Sequence, residues 1–219
     1  MSRSLITGVL LAVLTLSLSS VAHATPVILL TFNYLQNLEP VADFYNGGSS
    51  KAPNLGITFS SNFYGLRSTA KGGTGNFSPD PTGSPAIFIN GLSGSTVTGT
   101  MNVSGGFSSG INFYYTAAFQ QTVTVWSGAN GTGTALATIT LAPNDAGCHN
   151  SYCTWSDVAL TFSGSAQSVT FTGMANGIGI ADITIGQSTT AIPEPSSIYL
   201  FGTGLMGMSG YWVRRLFRV

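Results

Sequence analysis

Residues 121–141 read QTVTVWSGANGTGTALATITL, and this stretch decides the fold class. Val123 and Val125 point to one side of an extended chain, while Thr122, Thr124 and Trp126 point to the other. Successive side chains alternate along a strand, so such a run makes one apolar and one polar face. ALATITL is a second strand-like run. Between the two stands Asn130-Gly131, a pair that accepts the positive φ of a tight hairpin turn. The stretch predicts two antiparallel strands.

The same pattern recurs along the chain. VILLTFN, GITFS, AIFIN, TVTGTMNV, GINFYYT, WSDVALTF, QSVTFTG and IGIADITI are short strand-like runs separated by turn residues. No segment before residue 196 carries a helical period. Regularly spaced short strands predict an all-β fold, a jelly-roll-like β-sandwich, over residues 25–187. In INFYY, Ile111, Phe113 and Tyr115 share a face and Tyr114 falls with Asn112. In WSDVALTF, Val158, Leu160 and Phe162 share a face, which leaves Trp155 with Asp157. In the last run, Ile178 and Ile180 have one parity and Ile183 and Ile185 the other, so a bulge is expected near Ala181-Asp182; fraying of the strand end is the alternative. The Gly/Ser/Pro-rich residues 71–85 read as a surface loop.

Charged residues make up 6% of the chain, against about 25% in an average soluble protein. Aromatic and β-branched residues are plentiful, which excludes a disordered chain. Between residues 25 and 187 the bases are Lys51, Arg67 and Lys71, and the acids are Glu39, Asp43, Asp80, Asp145, Asp157 and Asp182. This balance argues against nucleic acid as a partner, since that needs a basic footprint.

The two ends have a different character. Residues 1–24 have a basic start at Arg3, an apolar run and a small-x-small site at Ala22-His23-Ala24. They are expected to be a signal peptide, passed through the secretion translocon and removed before Thr25. Residues 188–195 form a polar linker ending in Pro193-Glu194-Pro195, where the prolines keep the chain extended. Residues 196–213 carry no charge and are long enough, at about 1.5 Å per residue, to span a bilayer core as one helix. Residues 214–219 contain Arg214, Arg215 and Arg218, the basic flank of a cytoplasmic end. A buried core helix is the alternative for residues 196–213, and the arginine cluster argues against it.

Motif, helix and basic tail in this order closely resemble the PEP-CTERM sorting signal of Gram-negative bacteria. The resemblance covers residues 192–219. It implies an inner-membrane-anchored precursor, cleavage near Pro193-Glu194-Pro195 by an exosortase-type enzyme, and delivery to the cell surface, outer envelope or exopolysaccharide matrix. The body resembles a domain that recurs with this signal, through LLTFNYLQNLEPVADFYNGG, VWSGANGTGTALATITL and GIGIADITIG. That resemblance implies a jelly roll like that of secreted carbohydrate-binding modules.

Cys148 and Cys153 are close in sequence and, in an oxidising compartment, are expected to pair. A metal is the alternative, but Cys148, His149 and Cys153 supply too few ligands for one. Jelly-roll modules often hold a structural calcium between first and last strands. Here Asn33, Glu39, Asp43, Asn46 and Asp182 offer the oxygens it would need; the alternative is that Glu39 and Asp43 are ordinary loop acids. Tyr114, Trp126 and Trp155 lie on polar faces and could stack on sugar rings, unless loops cover them or they never meet.

Two catalytic patterns lack their context. Residues 106–110 match G-x-S-x-G, but a strand follows where a nucleophile elbow needs a helix. Residues 202–207 match G-x-G-x-x-G, but lie within the apolar C-terminal segment. The expected function is therefore a non-enzymatic surface or matrix protein with a structural or adhesive role. The alternatives are a carbohydrate-binding module and, behind it, a secreted hydrolase using Asp145 with Asp157 or Glu39 with Asp182.

Overall fold

The computed structural model of the chain describes residues 27–149 and 152–186. The signal peptide, the linker, Pro193-Glu194-Pro195, the apolar segment and Arg214, Arg215 and Arg218 lie outside the described residues. Nine strands are present among those described: β1 (Ile28–Leu30), β2 (Ile57–Phe59), β3 (Phe63–Leu66), β4 (Ala86–Ile89), β5 (Thr96–Ala117), β6 (Gln121–Trp126), β7 (Ala135–Leu141), β8 (Ser156–Met174) and β9 (Ile178–Ile185). No helix among the described residues is long and apolar enough to cross a membrane.

All pairings between named strands are antiparallel. Two long strands organise them. The first part of β5 pairs with β2 and with the last part of β8, which continues through β6 to β7. The last part of β5 pairs with the first part of β8 and with β9, which carries β4 and β1 on its other edge, and β3 beyond β4. The pair β5/β8 thus runs through both layers of the sandwich.

The sequence reads β5 and β8 as four strands, and each is continuous. The register slips between Asn102 and Phe107 and again between Ser108 and Gly110. Gly106, Ser109 and Gly164 take positive φ there. Bulges at these points absorb the bend while the ladder resumes beyond them. A strand that the sequence reading omits, β3, is short and contains Gly65, where an added Cβ would lie 2.8 Å from the Gln36 carbonyl oxygen. Close backbone approach, not strand propensity, selects glycine there.

The core lies between the layers. Phe171 of one layer meets Phe113 of the other edge-on at 5.5 Å and Phe63 at 6.0 Å. Val123 and Val125 are fully buried, as their parity requires. Phe63 has room because Gly99 faces it: a Cβ at Gly99 would sit 2.4 Å from the ring. Outside, threonines replace charges. Thr98 and Thr172 join their hydroxyls across β5 and β8 at 2.8 Å, and Thr138 donates to Thr124 across β6 and β7 at 3.3 Å. Such cross-strand pairs stabilise a sheet face without ion pairs.

The hairpin β6–β7 forms as read, around a longer loop. Ser127 N donates to Thr134 O and Gly128 N to Thr132 O, and Asn130 and Gly131 carry φ of 57° and 69°. The bulge expected in β9 is also present. Asn112 pairs with Thr184 but Tyr114 with Ala181, and Asp182 in the slip has φ 49°. Cys148 and Cys153 form a disulfide, with Cα atoms 5.6 Å apart.

Candidate functional site

Residues 71–85 are a loop, but they pack down onto the molecule. Phe77 and Asp80 are 7% and 4% exposed. The fold beneath explains this. Trp155 meets Phe77 edge-on at 5.8 Å, and its indole Nε1 donates to the Ser78 carbonyl at 2.7 Å. Phe77 also bridges to Tyr152. The loop is thereby tied to the outer face of the layer containing β9, and its residues help line two cavities.

The first cavity, about 210 Å³, is aromatic. Phe77, Phe88, Tyr152, Leu66, Thr116 and Asn176 line it. The Tyr152 hydroxyl donates to Asn176 O at 3.1 Å, and burial pushes this phenol up from its usual range. Thr116 is buried and its Oγ1 has no hydrogen-bond partner.

The second cavity, about 190 Å³, is polar. Arg67, Ser68 and Lys71 approach from one side, Gly83 and Ser84 from the other, and Asn33 from the segment after β1. A tight loop builds the basic side. Gly75 N donates to Arg67 O, Gly73 N to Ser68 O, and Thr69 N to Gly75 O. Only glycine fits at 73, where a Cβ would lie 2.1 Å from Arg67 O. Asn37 Oδ1 accepts from Arg67 N and Thr74 N, and Arg67 Nε donates to Leu35 O at 3.0 Å.

Behind Ser84 sits a buried acid pair. Ser84 N donates to Asp80 Oδ1 at 2.7 Å, and the Thr82 hydroxyl contacts Asp80, Asp182 and Ser84. Asp182 Oδ1 is buried without a partner. Burial, then the neighbouring Asp182 carboxylate, pushes Asp80 up to about 6. Tyr45, whose hydroxyl accepts from Phe32 N, is pushed up to about 12, chiefly by burial.

Of the residues expected to hold calcium, Glu39 and Asp43 are engaged in local turns, while Asn33 and Asp182 sit at or behind the polar cavity. Glu39 accepts from the Gln36 amide in its own turn, and Asp43 accepts from Asn46 at 3.4 Å. Asn33 lines the polar cavity, and Asp182 pairs with Asp80. No group of three or more His, Cys, Asp or Glu side chains that could hold a metal occurs among the described residues. The aromatic trio is split. Tyr114 and Trp155 belong to the layer of β9, with Tyr114 paired to Asp157 and Ala181. Trp126 belongs to the other layer, where its Nε1 donates to Thr170 Oγ1 at 2.9 Å. All three are half-buried. Sequence reasoning missed Asp80, Phe77 and Arg67. The visible signal was a phenylalanine and an aspartate inside an otherwise polar, glycine-rich stretch.

Two of the four acids proposed for hydrolysis make local hydrogen bonds. Asp157 accepts from Asn112 Nδ2 at 2.7 Å, and Glu39 serves its turn. Residues 106–110 lie inside β5, so Ser108 is a strand residue and not a nucleophile at a strand–helix turn.

The chain is thus a jelly-roll-like β-sandwich with two cavities along one tied-down loop. Residues 191–215 match the family model of the PEP-CTERM protein-sorting motif, so the chain carries that motif. It implies an exported, membrane-anchored precursor in a Gram-negative bacterium and processing by an exosortase. A comparison with curated proteins finds no match. Solved structures with a similar layout include a mutant of a family 29 carbohydrate-binding module, at 14% identity and TM-score 0.44 over 78% of this chain and 100% of that one. Another is the cleaved adhesin domain of Lys-gingipain from Porphyromonas gingivalis, at 12% identity and TM-score 0.48 over 75% and 99%.

Proposed function

We propose that this protein is a non-enzymatic component of the cell surface or exopolysaccharide matrix, with a structural or adhesive role. The sorting motif at residues 191–215 carries the reading. The engagement of Asp157 and Glu39 in local hydrogen bonds supports the non-enzymatic part. Intact mass, measured separately on cell-bound and released protein from the native culture, tests it. The expected species starts at Thr25 and ends near Pro193-Glu194-Pro195, with or without added glycan. A mass that still includes Arg218 in both fractions would overturn matrix delivery and leave a membrane-anchored envelope protein.

A second reading, contact with extracellular polysaccharide, is favoured by the aromatic cavity, where Thr116 Oγ1 stands unpartnered among aromatic rings. Rings that present a face and a few polar groups suit sugars. Phe88→Ala is expected to lower retention on the native polysaccharide severalfold. Trp126→Ala, in the opposite layer, is expected to leave retention unchanged. Equal retention of wild type and Phe88→Ala would sink this reading.

A further inference from the structure

Two of the three lysines and arginines among the described residues, Arg67 and Lys71, line the same small cavity. In a chain so poor in charge this is a concentration of positive potential. Neither cation meets a carboxylate among the described residues. Arg67 spends its Nε on Leu35 O, which fixes the guanidinium and leaves its two terminal nitrogens without a partner among the described residues, available for a bidentate pair. Asp80 and Asp182 do not line the cavity; Asp80 holds the Ser84 amide from behind.

The cavity also offers neutral hydrogen-bonding groups. Ser68 is 3% exposed and its hydroxyl has no partner, a costly state for a buried donor unless a ligand satisfies it. Ser84 and Asn33 add further polar atoms. At about 190 Å³ the cavity is smaller than the roughly 300–1,000 Å³ that drug-sized ligands fill. One sugar ring with a single acidic group matches its size and chemistry.

We infer that the cavity between Arg67–Lys71 and Gly83–Ser84 is a subsite for a carboxylate-bearing sugar, a uronic acid unit of an anionic polysaccharide. The carboxylate pairs with Arg67 and Lys71, and ring hydroxyls meet Ser68, Ser84 and Asn33. Asn76 and Phe77 of the same loop line the aromatic cavity, so one polymer can reach both. The inference rests on the glycan-contact reading and names its substrate class.

Calorimetric titration of the full chain with oligogalacturonate, with the same oligomer after carboxyl reduction, and with inorganic phosphate tests it. The charged oligomer is expected to bind at least about tenfold more tightly than the reduced one, with the preference weakening as salt rises. Lys71→Gln and Arg67→Gln are each expected to remove most of that preference. Lys71 is exposed and its side chain makes no hydrogen bond among the described residues, so Lys71→Gln keeps the test sound even if Arg67→Gln disturbs the Leu35 contact. Equal binding of charged and reduced oligomers, or an unchanged preference in Lys71→Gln, overturns the inference. Displacement by phosphate at matching affinity also overturns it, in favour of a phosphate site. If the charge preference is absent while Phe88→Ala still releases the protein from polysaccharide, this subsite fails and the glycan-contact reading stands.

Discussion

Phe171→Ala is expected to destabilise the domain by about 3–5 kcal/mol, the cost of removing a large aromatic side chain from a closed core. Phe171 is fully buried and its ring meets Phe63 and Phe113, so it joins the two layers of the sandwich. The neighbours cannot easily collapse into the gap. Phe113 and Phe63 are anchored on strands paired on both edges or against β4. A domain of ordinary stability, about 5–15 kcal/mol, would lose much of its margin. Urea unfolding of wild type and variant measures it; a change below about 1 kcal/mol would show that the layers do not depend on this contact.

The stability of the metal-free domain is expected to fall as pH rises from about 4 to about 6. The cause is Asp80, whose carboxyl is raised from 3.8 to about 6 by burial and by the adjacent Asp182. In that window the folded state holds a proton that the unfolded chain has released. Stability therefore decreases with pH, is fully present below the unfolded value, and is lost above about 6. With solvent screening of the partly buried carboxyl allowed for, a shift of this size corresponds to about 1–2 kcal/mol. Melting in a chelating buffer at pH 5 and pH 7.5 should show the higher transition at pH 5, and Asp80→Asn should reduce the difference. A transition that rises between those pH values in wild type would contradict the assignment. Chelator matters because a cation near the two carboxylates would take the proton's place.

Much of this was legible in the linear chain for a simple reason: strand faces are written with a period of two. The alternation in Val123, Val125, Ile111 and Phe113 placed them in the core, where each is at most 1% exposed. The parity change at Ile180–Ile183 located the bulge at Asp182. The disulfide followed from two nearby cysteines and a compartment. The sorting motif is local by nature, since a processing enzyme reads it as a short contiguous segment.

The continuity of β5 and β8 was not legible, because glycine marks a strand end and a bulge alike. Both uses exploit positive φ, as at Gly106 and Gly164, and only the partner strand decides between them. The cavities were hidden for a related reason. Asp80 and Asp182 are 102 positions apart, and nothing near Asp80 announces that its loop folds onto β9.

By itself the sequence determined the all-β class, the faces of most strands, the cysteine pair and the sorting segment, since each depends on neighbours within a few residues. The tertiary structure alone decided that Phe77 and Trp155 pin the 71–85 loop to the sheet. It also decided that Arg67, Ser68 and Lys71 face Ser84 across a cavity, because burial and electrostatic environment depend on which distant segments the folded chain brings together.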